Sequence, residues 1–276
     1  MTSPDAPLPP DSAPSRPAPS RPLPPDVAGV LALLRRDPGR PRLTWYGPGG
    51  ERVELSGHVL DNWVAKTANL LVEELDAGPG TTVAVDLPVH WRTVVWSLAA
   101  WRVGAGVTTD AAARTGGDVV VTADPAAHPD AAEVVAVALP ALARRFDGDL
   151  PPGAIDAAGA VMTYGDVIGW APEPDPSLPA LGTGGTGGTG AHDVVRHADL
   201  VRWAADAPGA VAAGTAARAL LAPDAQAAVG GVLREVLGML ACDGSVVLCA
   251  PEVGAELAAD PSRRERLVST ERVTAA

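Results

Sequence analysis

The stretch TTVAVDLPVHWRTVVWSLAAWRVGAGVTT, residues 81–109, decides the fold class. Thr82-Val83-Ala84-Val85 is a nearly continuous apolar run, the pattern of a strand buried on both faces of a parallel sheet. A helix is expected from about His90 to Val103, and Gly104-Ala105-Gly106-Val107-Thr108 opens a second strand. Trp91, Trp96 and Trp101 recur every five residues, which spreads them around that helix. A helix apolar on several sides belongs inside a protein. Val119-Val120-Val121-Thr122 and Val134-Val135-Ala136-Val137 continue the alternation, so the chain reads as a doubly wound α/β protein, with mostly parallel sheet flanked by helices.

Upstream, Val27, Val30, Leu31 and Leu34 follow helical spacing, and Asp26 is placed to cap them. Leu43–Tyr46 and Arg52–Leu55 are short extended runs separated by Gly47-Pro48-Gly49-Gly50, a hairpin signature. Ser56 is an N-cap for a long helix with Leu60, Trp63, Val64, Ala68, Leu71 and Leu75 on one stripe. Downstream, Ala219–Leu221, a helix over Val229–Leu240 and Ser245–Cys249 form a second strand–helix–strand run. Residues 171–177, rich in proline, are a possible subdomain linker between the two runs. Residues 1–25 hold ten of the 28 prolines and are expected to be a disordered tail with polyproline II bias. The α/β domain is then residues 26–276.

The balance of charge is −12 with a single lysine, Lys66. Such acidity argues against nucleic-acid partners and anionic membranes. No apolar run reaches the ~20 residues of a membrane span, and the proline-rich start lacks the apolar core of a secretory signal. Cys242 and Cys249 fit neither a disulfide framework nor a zinc pattern, and a reducing cytoplasm suits them.

The segment with most chemical content is Gly182-Thr183-Gly184-Gly185-Thr186-Gly187-Gly188-Thr189-Gly190. Glycines let backbone N–H groups approach an anion, and threonine hydroxyls add donors, so a phosphate cradle is one reading. A mobile Gly-rich connector is the other. Gly182, Gly184 and Gly187 match a dinucleotide fingerprint formally, but Pro176-Ser177-Leu178-Pro179 is a poor preceding strand. A Walker A loop needs a lysine that the segment lacks. Elsewhere, His192 and His197 with Asp193 and Asp199 suggest a metal site only loosely, and solvated polar residues beside a loop are the expectation. His58, His90 and His128 are isolated and receive no role. Ser245 is not in a nucleophile elbow. Cys249, ending a buried strand, is assigned to packing, and Arg263, Arg264 and Arg266 to a solvated terminal helix.

The loop resembles the phosphate loop of AMP-forming acyl-CoA synthetases and adenylation domains, Thr-Ser-Gly-Thr-Thr-Gly-x-Pro-Lys-Gly. Thr183, Gly185, Thr186 and Gly188 fall on matching positions, with Gly184, Gly187 and Thr189 completing the candidate nucleotide-binding segment. Asp193-Val194-Val195 and His197-Ala198-Asp199-Leu200 stand where that family has a strand and then a helix-opening His. Gly78–Val85 and Trp101–Val107 resemble the family's first parallel strand and its Gly-Ala strand, and Leu220–Cys249 the strand–helix–strand after the loop. The chain is also similar to short actinobacterial proteins akin to the N-terminal part of these enzymes.

The resemblance carries departures. Gly184 replaces the loop serine, Gly187 the second threonine, and Ala191 the lysine. Ala225-Gln226 stands where an aromatic–His pair often lines the acyl pocket. The family's later nucleotide and Mg²⁺ motifs and its C-terminal catalytic lysine have no counterpart here. The resemblance therefore implies a vestigial, noncatalytic domain that holds a nucleotide (ATP or AMP) or an acyl ligand weakly, or a protein partner, with no catalytic residue and no metal assigned. A subunit of a split ligase completed by another chain, and an interaction module without ligand, are the alternatives. A homo-oligomer or protein partner covering the surface left by the missing half is a further expectation.

Overall fold

The computed structural model describes residues 22–109, 117–183 and 193–275. The expected tail falls outside them apart from its last four residues, which form no regular element. Helix α1 (Val27–Leu34) starts where the Asp26 carboxylate accepts the Gly29 N–H at 2.7 Å. The hairpin β1 (Pro41–Tyr46) and β2 (Arg52–Ser56) follows. Helix α2 (Gly57–Glu73) is capped by the Ser56 hydroxyl, which accepts the Val59 N–H at 3.3 Å.

The βαβ unit read from residues 81–109 is present as β3 (Thr82–Asp86), α3 (Trp91–Arg102) and β4 (Gly106–Thr108). Strands β5 (Val119–Thr122), β6 (Glu133–Ala136) and β7 (Ile155–Asp156) come next, with the short helix α4 (Ala157–Ala160). Then follow β8 (Pro179–Thr183), β9 (Asp193–Arg196), α5 (Leu200–Ala205), α6 (Pro208–Ala213) and β10 (Arg218–Leu221). The chain continues through α7 (Val229–Ala241), β11 (Ser245–Cys249), α8 (Pro251–Ala259) and α9 (Pro261–Thr270).

Two sheets result. Seven strands lie in the order β7-β6-β5-β3-β4-β8-β9, parallel except for the β8–β9 pair. Four lie in the order β10-β11-β1-β2, parallel except for the hairpin. The hairpin therefore does not lead the first α/β run, as its position in the chain suggests. It joins the later strands, with Leu43 opposite Val246 and Trp45 opposite Leu248. The reason is burial: β1 and β11 are both buried over most of their length, and each needs a partner on either side. Residues 171–177 connect β7 to β8, both in the seven-stranded sheet.

Helix α3 packs on β3 and β4, on β1 of the other sheet, and against α2 and α7. All of its residues but Arg102 are buried, as the spread of tryptophans requires. The Trp101 indole N–H donates to the Ala180 carbonyl at 2.7 Å and ties α3 to β8. At Gly238 of α7 a Cβ atom would stand 2.2 Å from the Ala204 carbonyl oxygen, so α5 and α7 meet backbone to backbone.

Buried charge in the smaller sheet is matched by partners. The Arg42 guanidinium donates to the carbonyls of Asp243 (2.8 Å) and Gly244 (3.1 Å) in the turn before β11. Asp243 sits at φ +59° there, a conformation Asp tolerates better than most residues. The Glu271 carboxylate, beyond α9, accepts from the Tyr46 hydroxyl (2.6 Å), Arg52 Nε (2.9 Å) and Arg218 (2.6 Å). The outward N–H groups of β10 are also taken: Arg218 donates to the Thr274 hydroxyl and Leu220 to the Ala275 carbonyl. No helix among the described residues is long and apolar enough to cross a membrane.

Candidate functional site

Ligands of open parallel sheets bind at the carboxyl ends of the strands, where successive connections leave in opposite directions. In the seven-stranded sheet β3 connects toward β4 on one side and β5 toward β6 on the other. The crevice therefore opens between β3 and β5, whose last residues, Asp86 and Thr122, are direct partners across the pair. His128 follows β5 and brings its Nε2 to 2.9 Å from an Asp86 carboxylate oxygen. The His128 side chain is buried while Asp86 keeps about a quarter of its side-chain surface open. The imidazole thus acts as a strut beneath the carboxylate, and Asp86 is the member of the pair that faces outward.

On the other flank, β4 and β8 end side by side, with Thr108 opposite Gly182. The N-terminus of α7 meets this end: a Cβ at Gly230 would lie 3.2 Å from the Thr109 hydroxyl. No side chain caps α7, because its N-cap residue is Ala228. Its first N–H groups are therefore open to an acceptor from outside the helix. Thr183 closes β8 and faces Asp193 of β9, so the glycine–threonine loop springs from this same end of the sheet. Gly184, Gly185, Thr186, Gly187, Gly188 and Thr189 lie outside the described residues, as does His192. Among the predicted loop residues the structure therefore places Thr183 alone.

Several sequence readings change. His197 is buried rather than solvated; its Nε2 has no hydrogen-bond partner among the described residues, and burial holds its pKa below the ordinary value. The cause is the tight turn from β9 into α5, which sets the ring beside Trp101 and Leu200 in a small cavity of about 80 Å³. His90 and His128, given no role from sequence, are both structural partners: His90 caps α3 and His128 holds Asp86. Ala225 and Gln226 are exposed in the turn after β10 and form no aromatic wall. The signal for Asp86 was present in the sequence, as a carboxylate ending an otherwise apolar parallel strand. His128 carried none, because a loop residue's partner across 42 positions has no local signature. Among the described residues no group of three His, Cys, Asp or Glu side chains is placed to hold a metal ion.

No family model matches the chain. Over 253 residues it is 35% identical to a TIGR03089 family protein of Mycobacterium tuberculosis (strain ATCC 25618 / H37Rv), covering 88% of this chain and 93% of that one. Among solved structures, the acyl-CoA synthetase of Brucella canis superposes with a TM-score of 0.61 at 22% identity, over 82% of this chain and 46% of its own. The nonribosomal peptide synthetase FmoA3 gives 0.55 at 24% identity, over 83% and 23%. The chain spans less than half the length of either enzyme. At these identities the likeness establishes the fold, the α/β architecture of adenylate-forming enzymes.

Proposed function

The chain belongs to the TIGR03089 family, and from that premise we propose that it is a noncatalytic, AMP-binding-like domain that holds a nucleotide weakly. The observation that carries this reading is where the positive charge sits. Joining a carboxylate to an α-phosphate brings two anions together, and catalysis depends on cations placed around them. The residues that end β3, β4, β5 and β8 are Asp86, Thr108, Thr122 and Thr183, with no lysine or arginine among them. The one lysine of the chain, Lys66, is on α2, where its ammonium pairs with Asp166 at 2.9 Å and donates to the Tyr164 carbonyl. The loop position that holds lysine in acyl-CoA synthetases is Ala191.

What remains suits binding better than chemistry. The open N–H groups of α7 and the Thr109 hydroxyl offer neutral donors at one sheet end, and the glycine–threonine sequence that follows Thr183 contains no charged side chain. Neutral donors hold a phosphate, but they place no charge against a developing transition state. Two free cysteines and an acidic surface suit the cytoplasm.

Calorimetric titration with AMP and ATP tests the binding claim, and ATP–pyrophosphate exchange tests the catalytic one. The expected result is weak binding of both nucleotides, abolished by Gly185→Asp, with no exchange. Exchange by this chain alone would overturn the noncatalytic reading. Absence of heat at millimolar nucleotide would overturn the binding.

A further inference from the structure

A cavity of about 420 Å³ lies between the end of β1, the N-terminus of α3, the segment after β6 and the start of α8. It is separate from the crevice above, since none of Asp86, Thr122, His128, Thr109, Thr183 and Gly230 lines it. Its walls are apolar and stiff: the Trp45 indole, Val89, Leu139 and four prolines. Prolines have little freedom to lose, so the space is formed in advance of any ligand.

Two polar groups stand among these walls. His90 is 5% exposed. Its Nδ1 accepts the Arg92 N–H at 3.1 Å, and its ring meets the Trp45 ring edge-on with centroids 4.7 Å apart. Burial, aided by the Arg92 charge, pulls its pKa down to about 3. The ring is therefore neutral at pH 7, and because Nδ1 is the acceptor, Nε2 carries the hydrogen. That N–H has no hydrogen-bond partner among the described residues, and it is not among their fully buried unpaired atoms, so it is reached from the cavity that His90 lines. The second group is Glu51. One of its oxygens accepts the Trp45 indole N–H (3.1 Å) and the other the Ala141 N–H (2.8 Å). A carboxylate has about four acceptor sites, so two remain.

From this pair we infer that the cavity is a binding site for a small apolar carboxamide. A ligand head here has to accept from His90 Nε2–H and donate to Glu51. A carboxamide does both through its C=O and NH₂, whereas an amine only donates and a carboxylate only accepts. Anions are further disfavoured, because Glu51 and Glu252 are the charged residues of the lining and no lysine or arginine joins them. The decisive feature is that a ring buried almost everywhere else presents one unpaired donor to an apolar cavity, where a ligand carbonyl is the matching acceptor.

Saturation-transfer NMR on the full chain with benzamide, benzylamine and benzoate, which share one ring, tests this. Benzamide is expected to bind with a dissociation constant on the order of a millimolar, and benzoate and benzylamine to bind much more weakly. Leu139→Trp fills the cavity from a partly exposed position and is expected to abolish the benzamide signal. His90→Asn keeps a helix-capping side chain but loses Nε2, and is expected to weaken binding at least about threefold. Equal binding of benzoate or benzylamine overturns the inference. So does unchanged binding in Leu139→Trp, or no benzamide signal at about 10 mM. The wild-type comparison decides without either variant, and it is independent of the nucleotide titration.

Discussion

Replacing Glu271 with Gln keeps the shape of the side chain and removes its charge from a hub of three donors. Two of those donors are guanidinium groups. Arg218 keeps only 13% of its side-chain surface open and has little water to turn to. Arg52 is 41% open and retains Glu54 at 2.5 Å, so it recovers part of what it loses. Stranding one largely buried guanidinium and weakening a second hydrogen bond costs ~3 kcal/mol. The proton affinity that the same contacts impose on the carboxyl leads to a similar figure. Burial pushes the Glu271 carboxyl up, but hydrogen bonds from Arg52, Tyr46 and Arg218 outweigh it and hold the pKa at about 2, against an ordinary 4.5. That depression corresponds to ~3 kcal/mol of stability, fully present above pH 4.5 and lost as pH falls toward 2. For a chain of this size the loss lowers the melting temperature by ~6–12 °C. Calorimetric melts of wild type and Glu271→Gln between pH 7 and pH 3 measure it. The gap between the two proteins should be widest at neutral pH and narrow on acidification, because the variant has no proton to gain at this position. A gap under ~2 °C at pH 7, or one that stays constant down to pH 3, refutes the reasoning.

Gly238→Ala drives a methyl into the Ala204 carbonyl and should destabilise by ~2–4 kcal/mol, read in a urea melt, whereas Gly230→Ala meets only a rotatable hydroxyl and should stay within ~1 kcal/mol. Trp101→Phe leaves the Ala180 carbonyl without its indole donor in a buried site; a stability loss of ~1–3 kcal/mol is expected, read as a lower urea midpoint with an unchanged slope. Burial pushes the Cys249 thiol up to about 12, so a thiol reagent at pH 8 should reach Cys242 in the native protein and Cys249 only after unfolding, as mass spectrometry of labelled peptides would reveal.

The elements that sequence reading places best are those with a local cause. Asp26 and Ser56 announce their helices because a short polar side chain satisfies the first N–H groups, and both side chains do so. The three tryptophans of α3 announce burial on all sides, and the helix is so buried. Partner choice between strands has no such cause. Nothing in Leu43–Tyr46 points to Ser245–Cys249 two hundred positions away, since any apolar strand of that length satisfies the same hydrogen bonds. Short pieces such as β7 and α4 carry too few residues for a period to emerge. At the site, Thr183 closes β8, while Asp86–His128 emerges only when two connections are laid side by side.

The four-stranded sheet is sewn from the two ends of the chain, with β1 and β2 early and β10 and β11 late. A growing chain leaving the ribosome therefore presents a finished hairpin whose β1 edge waits about two hundred residues for its partner β11. The strands of the larger sheet, all between residues 82 and 196, are meanwhile complete and able to close. Assembly is thus ordered by translation itself: the larger sheet first, then capture of the waiting hairpin once β11 emerges. Conditions that slow synthesis between residues 196 and 245 prolong the interval in which that edge can pair with a neighbouring chain instead. The yield of soluble protein should follow the speed of that stretch more closely than the stability of the finished molecule.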